Sequence, residues 1–271
     1  MTVVLLGFPT DVNSSFLRGA ANAPKEIRRA LWSEAGNPFT ESGLDLRSPE
    51  VLEDLGDVAL AENSSDVETI ESAIGAQLRR ARHVVSLGGD HSITYPIVRA
   101  YAKGFLELSI VHFDAHPDLY PSFDGNHLSH ASPFARILEE TPIRCLVQIG
   151  IRSTSPAQRE MADRYGVLAF SPAELDAASA ALPDGPVYVT LDLDGLDPAF
   201  APGVSHREPG GLTVREVLSL VRAIPGRIIG ADVVELNPAA DVSGVTAGVA
   251  AKFVRELIAC IAGPRPPASP A

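Results

Sequence analysis

Three short stretches hold the residues that could do chemistry. The first, Asp114-Ala115-His116-Pro117-Asp118, sets two carboxylates and an imidazole at alternate positions directly after the apolar run 108–113. Alternation puts such side chains on one side of an extended backbone. Mixed oxygen and nitrogen donors suit Mn²⁺, Fe²⁺ or Zn²⁺. Pro117 has no N–H to give a sheet ladder, so the cluster belongs in a loop just past a strand. Taken alone, it reads more readily as a solvated turn, since Asp and Pro are common there. The second stretch, Gly88-Gly89-Asp90-His91-Ser92, follows the apolar 83–87 and contributes His91. The third, Leu191-Asp192-Leu193-Asp194-Gly195-Leu196-Asp197-Pro198, follows the apolar 187–191 and contributes Asp192 and Asp194. Singly, His91 could neighbour a helix cap and the two aspartates could form an acidic turn. Together, carboxylates this close repel one another unless cations compensate them. Four acids and two imidazoles suffice for two divalent ions sharing bridging carboxylates, about 3.5–4 Å apart.

The elements that must position these ligands alternate along the chain. A buried strand is expected at 2–6, stopped by Gly7 and Pro9, and a helix runs from Pro24 to 31 or 32. Residues 33–66 read as irregular, with a short strand near 55–58. Helical spacing over 66–82 places Val67, Ile70, Ile74 and Leu78 on one face, and Arg79, Arg80 and Arg82 suit the carbonyl end of its dipole. Further strands fit 83–87, 144–149, 167–170, 187–191 and 228–234; helices fit 94–102, 133–140, 213–222 and 246–262, and fill the remaining gaps. Several strands are continuously apolar, the mark of a parallel sheet covered by helices on both faces. In such α/β sheets ligands sit beyond the carboxyl ends of the strands, where the three polar clusters fall. A single domain over 1–262 is expected, with a proline-rich, disordered tail at 263–271.

Composition narrows the function classes. The 271 residues are 45% apolar and 21% charged, as in a soluble protein with a sizeable core. A net charge of −12 argues against nucleic-acid or anionic-membrane binding and fits a metal or an amine as partner. Cys145 and Cys260 lie in apolar surroundings and read as buried free thiols of a reducing compartment. No signal-peptide pattern or membrane-spanning stretch is evident, so the cytoplasm is the expected location.

In order and form, the three stretches resemble the metal signatures of the ureohydrolases, the arginase, agmatinase and formiminoglutamase superfamily. The resemblance runs from the Gly7-Phe8-Pro9 turn through Val234-Glu235-Leu236-Asn237-Pro238. It implies an arginase-like three-layer sandwich, two Mn²⁺ per chain, a homo-oligomer (trimer or hexamer) and a small guanidino or formimino substrate. Under it, His91, Asp114, Asp118 and Asp192 hold one manganese, while Asp114, His116, Asp192 and Asp194 hold the other. Asp114 and Asp192 bridge the two, and Asp118 orients the bridging hydroxide. His130, in Ser129-His130-Ala131-Ser132, matches the family's proton-shuttling histidine, and Glu235 matches the acid that pairs with a guanidinium. His112, inside an apolar strand, reads as structural, whereas His127 is near enough to His130 to compete for its role.

Substrate choice turns on two loops. Asp118-Leu119-Tyr120, the spacing to His130, and Gln148-Ile149-Gly150-Ile151-Arg152-Ser153 look agmatinase-like. Val204-Ser205-His206-Arg207-Glu208-Pro209 departs from the Thr-Gly-Thr-Pro of agmatinases and arginases and looks nearer to formiminoglutamases. Ser205, His206, Arg207 and Glu208 are expected to line the substrate's far end, Arg207 toward a carboxylate and Glu208 toward an ammonium. The resulting expectation is a binuclear manganese hydrolase of a guanidino carbon–nitrogen bond, agmatinase-like, releasing urea and an amine. The alternatives are a formiminoglutamase-like hydrolase releasing formamide, an arginase-like enzyme, or a non-catalytic metal-stabilised assembly protein. The presence of all six ligands with His130 and Glu235 argues against the last.

Overall fold

The chain's apolar runs form one parallel sheet of eight strands in the order β2-β1-β3-β8-β7-β4-β5-β6, seen in a computed structural model that describes residues 2–263. The strands are β1 (Val3–Phe8), β2 (Leu52–Asp57), β3 (His83–Gly88), β4 (Ser109–Phe113), β5 (Cys145–Ile149), β6 (Leu168–Phe170), β7 (Pro186–Asp192) and β8 (Arg227–Val234). The helices are α1 (Ala23–Leu31), α2 (Asp66–Leu78), α3 (Thr94–Ala102), α4 (Pro133–Glu140), α5 (Pro156–Tyr165), α6 (Leu175–Ala180), α7 (Val214–Ala223) and α8 (Val245–Ala262). Residues 264–271 of the expected tail lie outside the described residues.

Strands β1, β3 and β4 are buried along their whole length, which is why apolar residues point to both of their faces, with His83, Ser86, Ser109 and His112 as buried exceptions. Their alternate side chains feed two separate cores. Val3, Leu5, Val85 and Phe113 pack with α1, α6, α7 and α8, while Val4, Leu6, Val84 and Ile110 pack with α2, α3, α4 and α5. Helix α2 stops at Leu78, short of the expected 82, because Ala81 takes a left-handed backbone (φ 54°). Cys145 and Cys260 are free thiols, yet half-buried instead of fully buried, as both lie at the margin of the first core.

Register is what positions the site. Strands β3, β8, β7 and β4 are adjacent, and their ends are level: Leu87 pairs with Val233, Leu191 with Val233, and Phe113 with Leu191. The residues following these four strands therefore emerge side by side from the carboxyl edge.

One glycine is demanded by packing between β8 and α3. A Cβ on Gly230 would lie 2.2 Å from the hydroxyl of Tyr101, which is fully buried in the second core and whose oxygen accepts from the Val84 amide. Overpacking of this kind costs about 1–3 kcal/mol. Gly230→Ala should lower the melting temperature by roughly 2–4 °C for each kcal/mol lost, read by calorimetry. An unchanged melting temperature would show that Tyr101 can move aside.

Candidate metal centre

Each ligand-type residue is the first polar group past an apolar strand. Asp90 and His91 follow β3, Asp114 to Asp118 follow β4, Asp192 ends β7, and Glu235 follows β8. The turn after β3 requires Gly89, where a Cβ would stand 1.7 Å from the Thr10 carbonyl oxygen. Asp118 and Glu235 are held in the left-handed region at φ 51° and 66°. Such conformations cost of order 1–3 kcal/mol each for ordinary side chains and concentrate at functional sites.

The six predicted metal ligands converge. His91 Nδ1 lies 3.0 Å from Asp118, 3.2 Å from Asp114 and 3.3 Å from Asp192, yet has no hydrogen-bond partner. His116 Nδ1 lies 3.2 Å from Asp194 and 3.4 Å from Asp114. Asp114 spans the two groups, Oδ2 toward His91 and Oδ1 toward His116. Asp192 reaches His91 with Oδ2 but accepts from the Asp194 amide with Oδ1.

Buried partners orient these ligands. Thr190 donates its hydroxyl proton to Asp232 (2.6 Å), so its oxygen accepts from Nε2–H of His91 at 2.9 Å. That tautomer leaves the Nδ1 lone pair facing three carboxylates. Gln148 donates to His112 Nδ1 at 3.0 Å, so His112 Nε2–H donates to Asp114 at 2.8 Å. His112 thus orients the Asp114 carboxylate from inside its strand. Asp232 left a signal in the sequence, a lone carboxylate within the apolar β8, and Thr190 left none.

Electrostatics fits a cation. Burial, followed by Asp194 and Asp114, pushes the Asp192 carboxyl well above its usual range. Burial and the Asp114 charge raise Asp194 to about 7. Burial opposes a charge on His91, but the surrounding carboxylates raise it well above its ordinary value. A proton on Nδ1 and a divalent ion are alternative answers to the same excess of negative charge. The donor set, imidazole nitrogen with carboxylate oxygen, fits the first-row divalent ions.

Beside this cluster Glu235 joins the His91 and His130 loops. Its Oε1 accepts from the His91 amide and from His130 Nδ1, both at 2.8 Å. Its Oε2 carries no hydrogen bond among the described residues, and Glu235 lines a cavity of about 390 Å³ with His116, Asp118, Asp194 and His206. Burial favours a neutral Glu235, but the His130 ring holds its carboxyl below the ordinary range. Ser153, Thr154, Ser155 and Gln158 form a neutral wall of the same cavity, and among the described residues no Lys or Arg lines it.

The 204–208 segment divides. His206 lines the cavity, its ring 5.4 Å from His130 and 5.9 Å from His116. Glu208 stands at the rim, 3.6 Å from His116 Nε2. Ser205 instead donates to the Leu17 carbonyl, and the exposed Arg207 donates to that of Pro202, so neither reaches the cavity. Arg152, not anticipated as a buttress, donates to the carbonyls of Asp194, Gly195 and Glu208 and fixes both loops. His127 contacts the Pro121 carbonyl and is not part of the cavity lining.

Calorimetric titration with Mn²⁺ should saturate at two equivalents per chain, and Asp114→Asn should weaken both binding events because its carboxylate faces both histidines. Saturation at one equivalent would rule out a paired centre.

The chain is similar to known proteins over most of its length. A sequence model of the arginase family matches residues 1–260. The Arabidopsis thaliana protein named arginase 1, mitochondrial, is 46% identical over 95% of this chain and 80% of its own length. The Bacillus anthracis agmatinase is 36% identical over 94% and 90%, respectively. The solved arginase of Medicago truncatula superposes with a TM-score of 0.90 at 44% identity, covering 96% of this chain and 87% of that one.

Proposed function

This chain belongs to the arginase family, and on that premise we propose that it hydrolyses the guanidino carbon–nitrogen bond of free arginine, releasing urea and ornithine. The observation that carries the reaction class is the pair of His–Asp groups joined through Asp114 beside a buried Glu235–His130 pair. The preference for arginine rests on relatives: proteins named arginase reach 47% identity, against 36% for proteins named agmatinase. The agmatinase-like leaning of the sequence therefore gives way to the arginase-like alternative. Agmatine stays as second reading because the 153–158 wall is neutral and no described Lys or Arg lines the cavity to meet a carboxylate.

His91, Asp114, Asp118 and Asp192 would hold one manganese, and Asp114, His116, Asp192 and Asp194 the other. Such a pair lowers the pKa of water toward neutrality and so makes hydroxide available. The chain's own groups do the rest. Glu235 Oε2 accepts a charge-assisted hydrogen bond from the guanidinium, while Oε1 stays tied to His91 and His130. Asp118 fixes the direction of attack on the trigonal carbon from the cluster side. His130 delivers a proton to the departing nitrogen, since a leaving amine departs readily only when protonated. The hydroxyls of that wall and the Gln158 amide hydrogen-bond the substrate's tail. The half-buried free thiols support a reducing compartment such as the cytoplasm, and family resemblance supports a homo-oligomer.

A panel of arginine, agmatine and formiminoglutamate, scored for urea, formamide and ammonia, tests the reading. Urea from arginine at the highest kcat/KM is expected, and formamide as the main product would overturn it. His130→Ala should lower kcat about 10²–10⁴-fold with manganese content unchanged. Arg207→Glu should leave the ratio of arginine to agmatine rates unaltered, since that guanidinium lies outside the cavity; a reversed preference would place Arg207 on the substrate.

A further inference from the structure

Ser15, in the segment 13–17, lines the cavity and meets His130 Nε2 twice. Its backbone N–H donates to Nε2 at 3.1 Å, and its hydroxyl lies 2.8 Å from the same nitrogen. The segment is pinned on either side of Ser15. The Asn13 amide donates to Asp90 and its carbonyl accepts from the His130 amide. The Leu17 carbonyl accepts from Ser205 Oγ and Asn237 Nδ2, both at 2.8 Å. Leu17 itself takes a left-handed backbone (φ 42°), which those two bonds over-determine.

We propose that Ser15 is the positioning residue for His130, giving the imidazole a partner in both of its protonation states so that it gains and loses a proton without turning. In the neutral ring Nδ1–H donates to Glu235, and Nε2 accepts from the Ser15 amide. When Nε2 takes up a proton, that N–H donates to Ser15 Oγ, whose own hydrogen swings outward to solvent. When the proton passes to a departing amine, Nε2 recovers its lone pair and the amide bond re-forms. The amide favours the neutral ring and the hydroxyl favours the charged one, so the two contacts of one residue balance. The other groups facing the ring are Glu235, Asp90 and Asp118, which raise it to about 9 against its burial, and His206, whose own charge is disfavoured by burial and by His130. The inference deepens the proposed hydrolysis and rests on His130 being its proton carrier.

The test separates the two claims. Ser15→Ala keeps the amide and removes the acceptor of the charged ring. Nitrogen-15 NMR of the imidazoles should then show the acid dissociation constant of His130 rising about two- to tenfold, the net size of one ordinary hydrogen bond once water takes the place of the lost hydroxyl. Turnover should fall over the same range in kcat with KM within about twofold, and Ser15→Thr should restore both. An unchanged dissociation constant in Ser15→Ala, or a loss that threonine does not restore, would overturn the positioning role. Wild-type protein without urea release from any panel member would instead overturn the hydrolase reading, while the NMR comparison still decides Ser15.

Discussion

Repulsion among Asp114, Asp118, Asp192 and Asp194 is the constraint on which this structure turns. All four are nearly or fully buried, at 0–7% exposure, beside two histidines. Like charges removed from water at this separation cost more than ordinary packing returns, so some groups hold protons or cations compensate them. The high carboxyl pKa values of Asp192 and Asp194 are the metal-free expression of that conflict. A pair of divalent ions would resolve it, because each would meet several of the carboxylates at once.

The sheet makes the conflict unavoidable. Ending β3, β8, β7 and β4 level delivers His91, Glu235, Asp192 and Asp114 to one edge. The apolar layers on both faces leave those side chains nowhere to go but the space above it. Orientation then comes from partners below the edge. Asp232 through Thr190 sets the His91 tautomer, and Gln148 through His112 aims Asp114. Left-handed backbone at Asp118 and Glu235 is the local strain accepted for aim.

Much of this was legible before folding. Continuous apolar runs separated by helical spacing gave the parallel sheet, because a strand covered on both faces has no polar side to show. Helices α3 and α4 lie at the expected 94–102 and 133–140, and β3 begins at the expected His83. Helix α2 misjudged its end because a run of arginines suits a helix terminus, whereas the turn is made by Ala81. The ligand types were legible for a related reason: carboxylates and histidines at strand ends have few uses that do not involve a charge to meet.

Donor type and periodicity are local properties, and the sequence by itself determined them, and with them the layered α/β architecture and the six candidate ligands. Pairing is not local. Which imidazole meets which carboxylate depends on the β3-β8-β7-β4 adjacency, which no stretch of chain encodes alone. The same holds for Ser15 and His130, 115 positions apart, and for His91 and Thr190, 99 apart. Arg207 carried the right charge at a promising place in the sequence, but the Pro202 carbonyl holds its guanidinium off the cavity. Only the tertiary structure could decide that, because a side chain's direction is set by the loop's packing and not by its residue type.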